Sequence, residues 1–99
     1  MQKHALIVHP DAATRILLER WVRSVGYRAQ SVRRGSDALQ FARQARIDLV
    51  VLDRLAPDSE CSDVILGLMT DPKSARIPIA FANADDGELP ILASSRALH

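Results

Sequence analysis

Ala5, Leu6, Ile7 and Val8 open the chain as an unbroken apolar run, bounded by polar residues and by Pro10. That pattern predicts a strand buried on both faces. Asp11 is placed to cap the helix that follows, in which Ile16, Leu17, Leu18, Trp21, Val22 and Val25 recur at spacings of three and four until Gly26 ends it. Arg15, Glu19, Arg20 and Arg23 form the wet side. Tyr27 to Val32 alternates more weakly and reads as a short strand with one exposed face or an edge position. Ser36 then caps a second predicted helix, with Ala38, Leu39, Ala42 and Ala45 inward. The most apolar run, Ile47 to Leu52 and ending in Asp53, predicts a central parallel strand. Beyond Pro57, Val64, Ile65, Leu68 and Met69 describe a third helix that stops at Asp71-Pro72, and Ile77 to Ala82 a fourth strand. Pro90 suits the first turn of a last short helix holding Ile91, Leu92, Ala93, Ala97 and Leu98, and no fifth strand is expected. Strands alternating with helices specify an α/β fold with an open parallel sheet.

Composition narrows this picture. Ninety-nine residues, 47% apolar and 25% charged with a formal net charge of +1, fit one domain over residues 1–99, its divergent C-terminal segment running from 83 to 99. One cysteine, Cys61, makes neither an internal disulfide nor a Cys-based zinc site. No run approaches the ~20 apolar residues of a membrane span, and the N-terminus lacks a signal-peptide pattern. A cytoplasmic location without membrane partners is therefore expected. Eleven of the 13 basic residues are arginine, which suits specific carboxylate or phosphate contacts, although so small a basic excess does not by itself call for nucleic acid.

In an open parallel sheet, ligands gather at the carboxyl ends of the strands, near the point where strand order reverses. Four places qualify: His9-Pro10-Asp11, Arg33 to Ser36, Asp53-Arg54 and Asn83-Ala84. A carboxylate that ends a long apolar run is either solvated at the sheet's rim or buried at a cost of several kcal/mol. Both readings of Asp53 stay open on pattern alone. Trp21 is spaced as a packing residue, and Arg33-Arg34-Gly35 reads more simply as a solvated turn than as a phosphate site. Nothing in the chain resembles a nucleophile–base pair, a glycine-rich phosphate loop or a metal cluster, so an enzyme is not expected.

The segments ALIVHPDAATRILLERWVRSVGY, IDLVVLDRLAPDSE and DPKSARIPIAFANA, in that order, resemble the receiver domain of two-component response regulators. The resemblance runs from about Lys3 to Asp86. It implies a flavodoxin-like, three-layer αβα fold shortened to about four βα units, with strand order 2-1-3-4, and it makes Asp53 the phosphoacceptor-like residue. Receivers place an acidic pair after strand one to hold Mg²⁺, a Thr or Ser after strand four and a Lys after strand five. Here the acidic pair falls on His9 and Pro10, which suit Mg²⁺ poorly. Asp11 lies one position beyond. Asn83 stands at the hydroxyl position with the small Ala84 next to it, and no lysine counterpart exists.

These departures resemble degenerate receivers, which keep the fold and act through protein contacts. The degenerate pocket would comprise His9, Pro10, Asp11, Arg54, Asn83 and Ala84, with no metal ligands and with Mg²⁺ binding weak or absent. Arg54 would point away from Asp53, leaving His9 as its cation partner in a pH-sensitive latch. Without a fifth strand, Ile77, Ile79 and Phe81 would form an apolar edge that pairs, with Ile91 and Leu92, either in a homodimer or under the returning tail. The expected partner is a signalling protein, a histidine kinase or an effector. Two rival readings are a receiver phosphorylated on Asp53 by a histidine kinase, and a nucleic-acid or regulatory module using Arg15, Arg20, Arg23, Arg28, Arg33 and Arg34.

Overall fold

β1 (Lys3–Val8) lies inside the sheet because every one of its central residues is apolar: Ala5, Leu6 and Ile7 are fully buried. The computed structural model describes residues 2–52, 61–81 and 93–94. In chain order the further elements are α1 (Ala12–Ser24), β2 (Tyr27–Val32), α2 (Gly35–Gln44), β3 (Leu49–Leu52), α3 (Cys61–Thr70), β4 (Ile79–Phe81) and β5 (Ala93–Ser94). The sheet order is β2-β1-β3-β4-β5, parallel through the first four strands.

Strand alternation sorts the core into two layers. Ala5 and Ile7 of β1, with Leu49 and Val51 of β3 and Ala80 of β4, meet Leu18, Trp21 and Val22 of α1. Leu6, Val50, Leu52 and Ile79 face the other way, onto Ala38 and Ala42 of α2 and Val64 and Leu68 of α3. The three-layer αβα arrangement follows directly from this period of two. α2 and α3 approach closely where Gly67 faces Leu39: a Cβ at Gly67 would fall 2.6 Å from that side chain. Gly26 ends α1 with φ of 96°, a left-handed conformation open to glycine at little cost.

The start of the sheet is fastened by Asp48. Its Oδ2 accepts the His4 N–H at 2.9 Å, and its own N–H donates to the His4 carbonyl at 2.8 Å. β3 consequently begins at Leu49, after Ile47 and Asp48, and β4 begins at Ile79, because Ile77 N–H closes a turn onto the Ser74 carbonyl. That turn is held by buried Ser74, whose hydroxyl donates to the Leu68 carbonyl at 2.8 Å.

Three local expectations are corrected. Arg34, not Ser36, occupies the N-cap of α2, and no side chain caps it; Ser36 lies inside the first turn. Ile16 (56% exposed), Leu17 and Val25 of α1 and Met69 (64% exposed) of α3 do not reach the core, since a helix against one sheet face buries a narrower stripe than the apolar spacing suggested. Ala93 and Ser94, placed in a last helix by the Pro90 signal, instead form β5, antiparallel to β4, with Ala80 opposite Ser94 and Phe81 opposite Ala93. A pairing with a distant edge overrides the local helix signal. Of the two outcomes left open for the β4 edge, a homodimer or cover by the returning tail, β5 supplies tail cover along Ala80 and Phe81, although as a strand and not a helix, while Ile79 is buried and Ile77 and Phe81 are half-buried against the α2–α3 side. Ile91 and Leu92 lie outside the described residues. Among the described residues, no helix is long and apolar enough to cross a membrane.

Candidate functional site

The four parallel strands end together. Val8 is opposite Val32 and Leu52, and Leu52 is opposite Phe81, so one rim carries the carboxyl ends of β1 to β4. The chain moves from β1 outward to β2 and then back across to β3, which puts the reversal of strand order between β1 and β3. His9 follows β1 at that point. Residue 53 follows Leu52 in the chain. Asp53, Arg54, Asn83 and Ala84 lie outside the described residues, as does the Asp53 half of the expected latch.

The β1–α1 turn is described in full. His9 is buried (6% exposed), and its N–H continues the β1–β2 ladder by donating to the Val32 carbonyl at 3.1 Å. Its ring Nδ1 accepts the Asp11 N–H at 2.9 Å. An Nδ1 that accepts carries no proton, so this contact selects the tautomer protonated on Nε2. Asp11 sits in extended backbone as the N-cap of α1, its Oδ2 accepting both the N–H (2.9 Å) and the hydroxyl (2.8 Å) of Thr14. Arg15, read from the sequence as part of the wet side, turns back instead. Its Nη1 donates to the carbonyls of His9 (2.8 Å) and Pro10 (3.1 Å). Asp11 was legible as a cap from its place just before the apolar helical repeat; the fold of Arg15 over the turn had no such signal.

The Asp11 carboxyl is held below its usual range, first by the Thr14 hydroxyl bond, then by the Thr14 N–H, with the Arg15 guanidinium adding to the effect. A carboxylate whose folded pKa is depressed contributes stability above its unfolded pKa and loses it as pH falls through the lower folded value. Asp11→Asn keeps an acceptor for the cap without the titration. Its unfolding midpoint is therefore expected to vary less than wild type's between neutral pH and pH values below the ordinary carboxylate range, whereas Asp11→Ala lowers the midpoint at neutral pH. Thermal melts across that pH range check both outcomes; equal pH dependence in wild type and Asp11→Asn would contradict the assignment.

After β2, Arg33 and Arg34 are both exposed, and Arg34 opens α2. Among the described residues, no three His, Cys, Asp or Glu side chains group as a metal site.

No family model matches the sequence. The chain is 30% identical over 92 residues to the polar-differentiation response regulator DivK of Brucella anthropi, spanning 89% of this chain and 75% of that protein. It is 29% identical over 83 residues to the transcriptional regulatory protein GltR of Pseudomonas aeruginosa, which covers 84% of this chain but only about a third (34%) of that protein. Among solved structures, it is similar to the receiver domain of a sensor histidine kinase from Pseudomonas aeruginosa that holds magnesium in its active-site cleft (26% identity, TM-score 0.73, 88% of this chain and 73% of that one). A CheY-like receiver domain from Methylobacillus flagellatus, at 22% identity, shares the fold with a TM-score of 0.74 over 90% of this chain and 75% of its own. With a response regulator matched over three-quarters of its length, and with a parallel sheet ordered 2-1-3-4 beneath that match, the chain belongs to the receiver-domain family of two-component response regulators.

Proposed function

We propose that this receiver signals through protein contacts, with Mg²⁺-dependent phosphorylation of Asp53 impaired or absent. The observation that carries the reading is the β1–α1 turn. Aspartyl phosphorylation brings a carboxylate onto an anionic phosphorus centre, a repulsion that a divalent cation and positive side chains must offset. Mg²⁺ asks for several oxygen ligands in near-octahedral geometry. At the positions of the receiver's acidic pair stand His9, whose Nδ1 is engaged by the Asp11 N–H, and Pro10, which has no side-chain oxygen. The carbonyls of both residues receive the Arg15 guanidinium, and the Asp11 Oδ2 is committed to Thr14. The side chains at the acidic-pair positions offer Mg²⁺ no oxygen, and the carbonyls of the same two residues already accept from the Arg15 cation, which supports the reading that the turn holds the ion poorly.

In this reading Asp53, the phosphoacceptor-like residue that follows Leu52 in the chain, marks a former phosphorylation site. The module is a non-enzymatic cytoplasmic element whose partner is a histidine kinase or an effector. The test is incubation of the chain with Mg²⁺ and acetyl phosphate or beryllofluoride, followed by intact mass and amide-shift mapping. The expected result is an unmodified mass and unchanged rim amides. A stoichiometric adduct on Asp53 would falsify the proposal and assign the chain to the phosphorylated receivers.

A further inference from the structure

β2 ends the sheet on one side, with β1 on its inner flank and no strand beyond it among the described residues. In a parallel ladder, alternate residues turn both backbone groups to the same neighbour. Because the Val32 carbonyl accepts from His9, the register turns Val32, Gln30 and Arg28 toward β1 and leaves the N–H and C=O groups of Tyr27, Ala29 and Ser31 on the open side. The strand is six residues long, continuous in register, and contains neither proline nor glycine. It has the length and regularity to accept another strand.

Two shallow grooves flank this edge and share Arg28 and Ala29. One, on the α1 side, is about 350 Å³ and includes Arg23. The other, on the α2 side, is about 460 Å³, with Phe41, Ala45 and Ile47 as apolar lining and Arg46 as a cationic neighbour. The acids nearby are already engaged. Glu19 meets Arg23 at 3.3 Å while its other oxygen accepts the Ser31 hydroxyl, and Asp48, 3.7 Å from Arg46, is tied to the His4 N–H. Arg28 is exposed, and its side chain makes no hydrogen bond or ion pair with the described residues. The edge is thus an unpaired backbone ladder set among three guanidinium groups.

We propose that the open edge of β2 binds an extended acidic segment of a partner protein as an added strand. The partner's backbone pairs with Tyr27, Ala29 and Ser31, and its carboxylates meet Arg28 and Arg46. Charge selects this occupant. A second copy of the chain would oppose one set of Arg23, Arg28 and Arg46 with another, at a cost in repulsion. Nucleic acid fits less well, because the outward carbonyls of the ladder face its phosphates unfavourably and the aromatic rings beside the edge, Tyr27 and Phe41, are half-buried instead of offered for base stacking. The proposal is independent of the state of Asp53.

The probe is a fluorescein-labelled peptide of alternating glutamate and valine, long enough to span β2, titrated into the full chain. Anisotropy is expected to saturate. Hydrogen exchange should slow selectively at Tyr27, Ala29 and Ser31, the amides that β1 does not already protect. Arg28→Glu should weaken binding by about tenfold or more, whereas Arg20→Glu, on an exposed position of α1, leaves it nearly unchanged; circular dichroism verifies that both variants fold. Absence of binding overturns the proposal, as does binding without slowed exchange at those three amides or binding indifferent to Arg28→Glu. A single-stranded oligonucleotide that binds more tightly than the peptide and is released by Arg28→Glu also overturns it, assigning the edge to nucleic acid.

Discussion

Replacing His9 and Pro10 together by aspartate is expected to make the chain's stability respond to Mg²⁺, which wild type should not do. Three consecutive carboxylates, with Asp11, would then crowd the β1–α1 turn, and like charges at that separation disfavour one another. The double variant should unfold earlier than wild type when metal is absent. Added Mg²⁺ should recover the loss, since a ligand that binds only the folded state stabilises it in proportion to the logarithm of its concentration over Kd. A tightening of Mg²⁺ binding by about tenfold corresponds to ~1.4 kcal/mol, enough to move a urea midpoint measurably. Urea titrations of both chains with and without Mg²⁺ provide the check. An equal Mg²⁺ response in wild type would mean that the turn already holds the ion despite Arg15 and the capped Asp11.

Leu18→Ala is the second large effect. Leu18 is fully buried between α1 and the face of the sheet formed by Ala5, Ile7, Leu49, Val51 and Ala80. Truncation removes the transfer energy of its methyl groups and leaves a cavity in a layer built on a single described helix, a loss of ~2–5 kcal/mol. Against the ~5–15 kcal/mol of a typical domain, this is a major fraction. Trp21, the only tryptophan and largely buried one turn away on α1, reports the transition by fluorescence. Ile16→Ala, on the exposed side of the same helix, should stay within about 0.5 kcal/mol of wild type. If the two substitutions cost the same, the assignment of the α1 face is wrong.

The contrast between those two residues also shows where sequence patterns carry information. Leu18, Trp21 and Val22 were legible because helical spacing and burial coincide for them. Ile16, Leu17 and Val25 obey an apolar spacing too, but only the geometry of a helix on a sheet decides how wide the buried stripe is. The runs Ala5–Val8 and Leu49–Leu52 were read correctly because strands buried on both faces have no polar alternation to disguise them. β5 was missed for the opposite reason. Two residues have no periodicity, and their strand conformation comes entirely from Ala80 and Phe81 across the ladder. At the rim, the position of His9 could be read, but not its partners. That Asp11, two residues away, offers its N–H to the ring, and that Arg15 reaches back over the turn, are consequences of where β1 stops and α1 begins.

The central place of β1 sets an order of events during synthesis. Its Ala5-Leu6-Ile7 run is made before either of the strands that come to flank it, β2 and β3. β2 can cover one flank soon after α1 emerges. The other flank waits for Leu49–Leu52, roughly forty residues on, a delay of about 2–8 s at ~5–20 residues per second. For that interval the apolar Ala5–Val8 stretch of β1 has an unsatisfied edge, open to pairing with other chains.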